Sequence, residues 1–226
     1  DIAIVERNKM ILIEHFTNSS DNESADADER LTSLAQRYST NIIDIRYHTS
    51  NPPDDPFNED NPSVPNTRQF FYNLSGVPYA IVNGGTKNNQ RIDFKTTHLS
   101  EQSITVESLY DSEFLINVKS MTASDYVYVD AEITTLTDLP PTELSVRMAV
   151  IEPVITGITG ENGSTTFRNV VRGMIPDAAG YNMYREWIAG EKVVLQDKWE
   201  VKNAVDPSAL RVVVFIQNES TREVYQ

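Results

Sequence analysis

The period of the hydrophobic pattern changes near residue 111, and this change limits the fold of the chain more than any other feature. Before it, apolar runs of strand length alternate with segments of helical period. After it, apolar and polar residues alternate one by one, as in residues 126–133 and 144–150. A length of 226 residues allows two domains. We therefore expect an α/β domain over residues 1–111, the first half, and an all-β domain over residues 112–226, the second half.

The first half predicts strands and helices in the order βαβ-α-β-β-α. Residues 10–16 form an apolar run typical of a buried central strand, and Ser24 is the expected N-cap of the helix that follows. Residues 42–47 predict a second strand, parallel to the first. A helix after Pro65 then leads to an apolar strand at residues 79–82.

The second half predicts strands joined by turns rich in Pro, Gly and Asn. Besides the two alternating segments, further strands are expected around residues 169–174, 192–201 and 210–216. Successive strands with little helix favour an antiparallel β-sandwich.

Charge and residue content exclude two classes of function. The net charge is −14, and both halves share the acidic excess, which opposes binding to the phosphates of nucleic acids. The chain contains no cysteine. Thiol–disulfide exchange needs a thiolate and a second sulfur, so this chain cannot perform it. No apolar run approaches the roughly 20 residues that a membrane-spanning helix needs.

The layout of the first half resembles a thioredoxin-like domain. In that fold a Cys-x-x-Cys motif follows the first strand, and residues 13–17 resemble the strand that leads into it. Four residues stand at the place of the motif: Asp21, Asn22, Glu23 and Ser24. Val77 and Pro78 resemble the segment whose proline that fold keeps cis, so the resemblance implies a cis bond at Pro78. The four residues form either a polar loop with an N-cap or a ligand site at the start of the helix.

Nearly the whole chain shows a second resemblance, carried by the order and spacing of five segments. These are EHFT at residues 14–17, IRYH at 45–48, SGVP at 75–78, VVRGM at 170–174 and VVVFIQ at 212–217. The chain resembles the outer-membrane-protein-twenty-eight-related family of Bacteroidetes, which joins a thioredoxin-like domain to an immunoglobulin-like sandwich. Some members keep both cysteines, and this chain departs from them there.

The resemblance implies a fold of α/β plus all-β class: a degenerate thioredoxin-like domain followed by an antiparallel immunoglobulin-like β-sandwich. It also implies export to the periplasm, outer membrane or cell surface, often as a lipoprotein, with no established catalytic activity. The chain begins at Asp1 without a methionine, so we expect either a removed export signal or an artificial boundary upstream. A lipid anchor would also lie before Asp1.

Two histidines are candidates for a cleft. His15 and His48 end adjacent predicted strands, at the edge where open α/β sheets usually place ligands. Together with Val77 they would bound a cleft near the degenerate loop. A histidine pair could bind a transition metal or act as acid and base, whereas structural hydrogen bonds are the alternative. No Gly-x-Ser-x-Gly, His-Glu-x-x-His or glycine-rich phosphate motif accompanies them.

Residues 49–66 are rich in Pro, Asp and Asn and predict a long surface loop. Four of its acidic residues are candidates for a metal site: Asp54, Asp55, Glu59 and Asp60. Their oxygens suit Ca²⁺, yet the D-x-D-x-D-G frame of a calcium loop is missing. Solvated acidic side chains are the alternative, so no metal or other cofactor is assigned.

The sequence leaves three hypotheses of function. The leading one is a non-catalytic cell-envelope protein with a binding, adhesion or assembly role, whose partner is a protein or another envelope component. The second is an enzyme of a non-thiol class that uses the cleft near His15, His48 and Asp21. The third is a calcium-stabilised structural module.

Overall fold

The computed structural model describes residues 8–226, and its first half alternates strands with helices. The strands are β1 (Ile11–Thr17), β2 (Ile42–His48), β3 (Tyr79–Val82) and β4 (Arg91–Asp93). The helices are α1 (Asn22–Arg37), α2 (Pro56–Asp60), α3 (Ser63–Phe71) and α4 (Glu101–Glu107). The predicted order of strands and helices is confirmed, with one correction. The segment predicted as a loop over residues 49–66 contains α2, because Asp55 caps it and Pro56 suits its first turn.

The second half consists of strands. They are β5 (Phe114–Ala123), β6 (Tyr126–Thr135), β7 (Leu139–Thr156), β8 (Thr166–Ile175), β9 (Tyr181–Trp187), β10 (Lys192–Glu200) and β11 (Arg211–Asn218). The sequence had predicted no strand at β9. Its side chains alternate between half-buried and exposed positions, which is the strand pattern that the prediction missed.

Two sheets organise these strands. The larger has eight strands in the order β11-β7-β8-β2-β1-β3-β4, with β9 paired to β7. The smaller is antiparallel and has the order β10-β6-β5. β1 and β2 are parallel, as the opening βαβ unit predicts. The coarse fold class, α/β followed by β, therefore agrees with the sequence.

The larger sheet runs through both halves of the chain. Its two parts meet where β2 and β8 lie side by side in parallel, through the pairing of Arg46 with Val170. The division at residues 111 and 112 falls between α4 and β5 and stays a prediction, since strands from both sides of it belong to one sheet.

Three large apolar clusters and a smaller fourth one fill the spaces around the sheets. One lies between α1, α4 and the first-half strands, and it includes Leu31 and Ile104. A second lies between the two sheets of the second half, around Trp187. The third contains residues of both halves, such as Phe16 and Phe215, so the hydrophobic core itself crosses the midpoint of the chain. Among residues 8–226 no helix has both the length and the apolar character needed to cross a membrane.

Candidate functional site

The degenerate redox loop is built into the start of α1. Asp21 has extended backbone angles, and its carboxylate accepts hydrogen bonds from the backbone N and the hydroxyl of Ser24, both at 2.7 Å. The N-cap is therefore Asp21, and the prediction that Ser24 caps the helix is wrong. Ser24 already lies in the first helical turn, where its buried hydroxyl donates to the cap. Asn22 is exposed, and Glu23 forms an exposed ion pair with Lys95 at 3.2 Å.

Substitutions at Asp21 should separate its capping role from its charge. Asp21→Ala is expected to lower the free energy of unfolding by about 1 kcal/mol, because the backbone N of Ser24 loses its acceptor. Asp21→Asn should stay within about 0.5 kcal/mol of the native protein, since asparagine caps helices about as well as aspartate. Urea unfolding followed by circular dichroism measures both values. Equal losses in the two variants would show that the charge, rather than the cap, stabilises α1.

A loop of the second half covers this place. Asn162, between β7 and β8, donates its side-chain amide to the carbonyl oxygens of Asp21 (3.0 Å) and Asn18 (3.3 Å). Its backbone N donates to the carbonyl of Ser19 at 3.0 Å. Gly160 lies so close that a Cβ there would be 2.6 Å from the same carbonyl. The loop thus packs against residues 18–21, immediately before α1.

His15 is buried and both of its ring nitrogens have partners. Nε2 lies 2.8 Å from a carboxylate oxygen of Asp28, and Nδ1 lies 3.2 Å from the carbonyl oxygen of Tyr79. Burial alone would raise the pKa of Asp28, but the hydrogen bond from His15 and the charge of Arg46 hold that pKa below its ordinary value. His15 therefore links β1 to α1 and β3.

His48 is bound to a different carboxylate. Its Nδ1 lies 2.8 Å from Asp55, whose oxygens also accept from the backbone N of Ser19 (2.6 Å), Phe57 (2.9 Å) and Asn58 (3.0 Å). Burial alone would raise the pKa of Asp55, but these bonds, with the one from His48 foremost, hold it below its ordinary value. Each histidine is thus held by its own carboxylate, and the two do not share a polar cluster.

The hydrogen bonds of Asp55 should make the free energy of unfolding depend measurably on pH. Because the pKa of Asp55 is lower in the folded chain than in the unfolded one, its stabilising effect is complete above about pH 5 and is lost as pH falls through the folded-state pKa. Asp55→Asn should cost roughly 2 kcal/mol at about pH 5, through lost charge-assisted hydrogen bonds. The gap from the native protein should shrink as the pH falls below about 4, because Asp55 then takes up a proton in the unfolded chain more readily than in the folded one.

Urea unfolding at several pH values measures this gap, with Asp54→Asn as the control. Asp54 is exposed and has a φ of 67°, a conformation that asparagine tolerates well. Asp54→Asn should stay within about 0.5 kcal/mol of the native protein at each pH. A gap for Asp55→Asn that does not change with pH would contradict the assignment of an ionised Asp55.

The structure also places the predicted cis-proline segment and the acidic residues that were candidates for a metal site. The Val77–Pro78 peptide bond is cis, as are Asn51–Pro52 and Ile175–Pro176, and Val77 belongs to the core cluster shared by the two halves. In the acidic segment, the carboxylate of Asp55 already accepts the four hydrogen bonds described above. Asp60 lies 3.2 Å from Arg172, and Asp54 and Glu59 are exposed. Within residues 8–226 no three His, Cys, Asp or Glu side chains are grouped to hold a metal ion.

The sequence missed a buried polar network around Glu14. Arg68, from α3, donates Nη2 to both carboxylate oxygens of Glu14 (2.7 and 2.9 Å) and Nε to one of them (3.0 Å). Tyr47 donates to Glu14 at 3.0 Å, and Tyr72 donates to it as well. Gln217, from β11, donates to the Tyr72 hydroxyl (2.7 Å) and accepts from Arg68 (2.9 Å). The network therefore links β1, near the start of the chain, to β11, near its end.

Burial and charge keep the two tyrosines of this network protonated. Burial raises the pKa of both Tyr47 and Tyr72, and the negative charge of Glu14 raises them further, so both phenols stay protonated. Both tyrosines therefore remain hydrogen-bond donors to Glu14 at neutral pH. A signal was present in the sequence, since a carboxylate inside the apolar run of β1 requires a buried partner, but nothing local identifies Arg68 as that partner.

Comparisons with known proteins show a likeness in fold. No protein-family model matches the chain, and no curated protein matches its sequence. Its structure is similar to HBP35 of Porphyromonas gingivalis, a Bacteroidetes protein, with a TM-score of 0.77 and 14% identity over 97% of this chain and 74% of that one. It is also similar to protein AGR_C_4864 from Agrobacterium tumefaciens, with a TM-score of 0.50 and 14% identity over 97% and 91% of the two chains. At this level of identity, both likenesses show a similarity of fold alone.

Proposed function

We propose that this chain is a non-catalytic protein of the bacterial cell envelope, in which a redox-dead thioredoxin-like scaffold and an immunoglobulin-like sandwich serve binding, adhesion or assembly. One observation carries the proposal: the place where a thioredoxin-like domain does its chemistry is used for structure. Asp21 caps α1, Ser24 is buried beside it, and the side-chain amide of Asn162 donates to the carbonyl oxygen of Asp21. A sulfur-based site needs a thiolate, and this chain has no cysteine to supply one.

The contacts of the two histidines give little support to the enzyme alternative. Acid–base chemistry needs groups that converge on one reacting atom. Asp28 engages His15, Asp55 engages His48, and Asp21 is occupied by the start of α1. Calcium stabilisation receives no support from Asp55 either, because four hydrogen bonds already occupy its carboxylate.

The envelope assignment has two supports. One is the order of the five sequence segments that resemble the exported Bacteroidetes family. The other is the similarity in fold to a Porphyromonas gingivalis protein. Fold similarity at this identity does not carry function with it, so the location needs its own test.

Cell fractionation tests the location. The full-length protein, followed with an antibody in its native host, should be recovered with the envelope, and protease added to cells with a permeabilised outer membrane should degrade it. Recovery in the cytosol, protected from protease, would overturn the envelope assignment. A cytosolic protein of known abundance serves as the control for lysis.

Complementation tests the absence of catalysis. A deletion strain that carries Asp21→Asn should behave like one that carries the native chain, because the cap is kept while the carboxylate is lost. Failure of Asp21→Asn to complement, at normal protein level and stability, would point to acid–base chemistry at the degenerate loop and refute the non-catalytic proposal.

A further inference from the structure

A cleft of about 720 Å³ lies between α3, β4 and the turn after β11. Four arginines line it: Arg68, Arg91, Arg147 and Arg222. One carboxylate, that of Glu219, also lines the cleft. Since the whole chain has a net charge of −14, such a concentration of cations contrasts with the rest of the molecule.

The charges in and beneath the cleft do not cancel. Arg68 is neutralised by Glu14 and Arg147 by Glu219, at 2.7 and 2.6 Å. Arg91 donates to the carbonyl of Tyr72, and neither Arg91 nor Arg222 has a carboxylate partner within residues 8–226. Four guanidinium charges less two carboxylate charges leave a surplus of two positive charges.

One of the guanidinium groups also has an unused donor. Arg68 is fully buried, yet its Nη1 has no hydrogen-bond partner. Buried donors without acceptors are rare and costly, and an unoccupied ligand position is one explanation for them. The unused Nη1 belongs to the same side chain that lines the cleft.

Three of the cations converge on one aromatic ring. The guanidinium carbons of Arg68, Arg147 and Arg222 lie 4.7, 5.2 and 5.6 Å from the centre of the Phe71 ring. The repulsion among them is reflected in Arg147, whose pKa is lowered first by burial and then by the charge of Arg68. An anion between them would relieve this repulsion.

The wall of the cleft also has an apolar part. Phe70, next to Phe71 on α3, lines the cleft and is 88% exposed, the largest exposed fraction among the large hydrophobic side chains described. A ligand with both a charged and an apolar end would use the arginines and Phe70 together.

We propose that this arginine cleft binds a small phosphate monoester with an apolar or aromatic body. Guanidinium groups match the oxygens of phosphate in bidentate geometry. The surplus of two positive charges complements a phosphate monoester, whose charge is about −1.5 to −2 at pH 7, better than a monoanion. This inference rests on the proposed binding function and names the class of ligand for it.

Calorimetric or NMR titration of the full chain tests the inference with three probes. Phenyl phosphate should bind. Phenyl sulfate has nearly the same shape with one negative charge, and inorganic phosphate lacks the ring, so both should bind more weakly. Equal binding of phenyl sulfate would overturn the preference for a dianion, and absence of phenyl phosphate binding would overturn the inference altogether.

Variants locate the binding. Arg222→Asn removes an unpaired charge at a residue with a φ of 69°, where asparagine is tolerated, and should weaken phenyl phosphate binding about tenfold or more. Arg211→Gln is the matched control: it removes one positive charge at the exposed far end of β11, about 23 Å from Asn218, and should leave binding unchanged. Phe70→Ala should weaken phenyl phosphate binding but not that of inorganic phosphate. Native affinity in Arg222→Asn would overturn the site.

Two further outcomes separate this inference from the proposed function. Release of phenol from phenyl phosphate would refute the non-catalytic proposal while leaving the cleft as the binding site. Binding to vesicles that contain phosphatidic acid, without binding of phenyl phosphate, would indicate a membrane headgroup and overturn the assignment of a small ligand. If none of these probes binds, the assignment of the cleft as a binding site is overturned. The envelope role would then still be tested by cell fractionation.

Discussion

Glu14→Gln is expected to lower the free energy of unfolding by about 3–5 kcal/mol. The substitution keeps the size of the side chain and removes its charge, so the fully buried guanidinium of Arg68 loses its counter-ion. Breaking one side of a buried ion pair leaves an uncompensated charge in a medium of low polarity. A typical domain has only about 5–15 kcal/mol of stability in total, so this variant should be severely weakened.

Urea unfolding, followed by far-ultraviolet circular dichroism, measures this loss. Glu29→Gln on the exposed face of α1 is the matched control and should stay within about 0.5 kcal/mol of the native protein. Adding Arg68→Met to Glu14→Gln should recover part of the loss, because both members of the pair are then uncharged. A loss below about 1 kcal/mol for Glu14→Gln would be no larger than that of an exposed ion pair. It would show that other groups compensate the charge of Arg68.

Gly84→Ala is expected to cost about 2–5 kcal/mol, the sum of a strained backbone and a steric clash. Gly84 has a φ of 86°, which L-residues avoid, and a Cβ there would lie 1.7 Å from the carbonyl oxygen of Arg222. That oxygen also accepts from Gln217 at 2.6 Å, and the neighbouring Val224 donates its backbone N to Asn83. Both sides of the contact are backbone, so no rotamer change can relieve the clash.

Gly157→Ala isolates the backbone part of this effect. Gly157 has nearly the same φ, 84°, but no atom lies within 4 Å of the position that a Cβ would occupy. Its loss should be about 1–2 kcal/mol, from the strain alone. Thermal and urea unfolding of the two variants measure the difference between them. Equal losses would mean that the turn after β11 moves aside freely and does not hold β3.

The sequence predicted the elements whose signals are local. The apolar run of β1, the strand at β3 and the alternation in β6 each read directly as structure. The N-cap of α1 was predicted wrongly because two nearby residues, Asp21 and Ser24, are both good caps. Only the backbone angles decide between them. α2 was missed because five residues are too few for a helical period to be visible.

The polar sites were less predictable because they depend on distant parts of the chain. Glu14 and Arg68 are 54 residues apart, and Arg68 and Gln217 are 149 apart. His15 and His48 were expected to act together from their places on adjacent strands. Their carboxylate partners, from α1 and the start of α2, hold them separately, and sequence spacing contains no information on that choice.

The pairing of β2 with β8 bears on how this protein can change over evolution. A fragment that ended at residue 111 would present β2 as an open sheet edge, and such edges recruit strands from other chains. It would also leave Glu14 and Arg68 without Gln217 and the shared core without Phe215. We therefore expect a fragment of either half to be less stable than the same residues within the whole chain. Recombination at the midpoint is disfavoured, and the two halves should be inherited together.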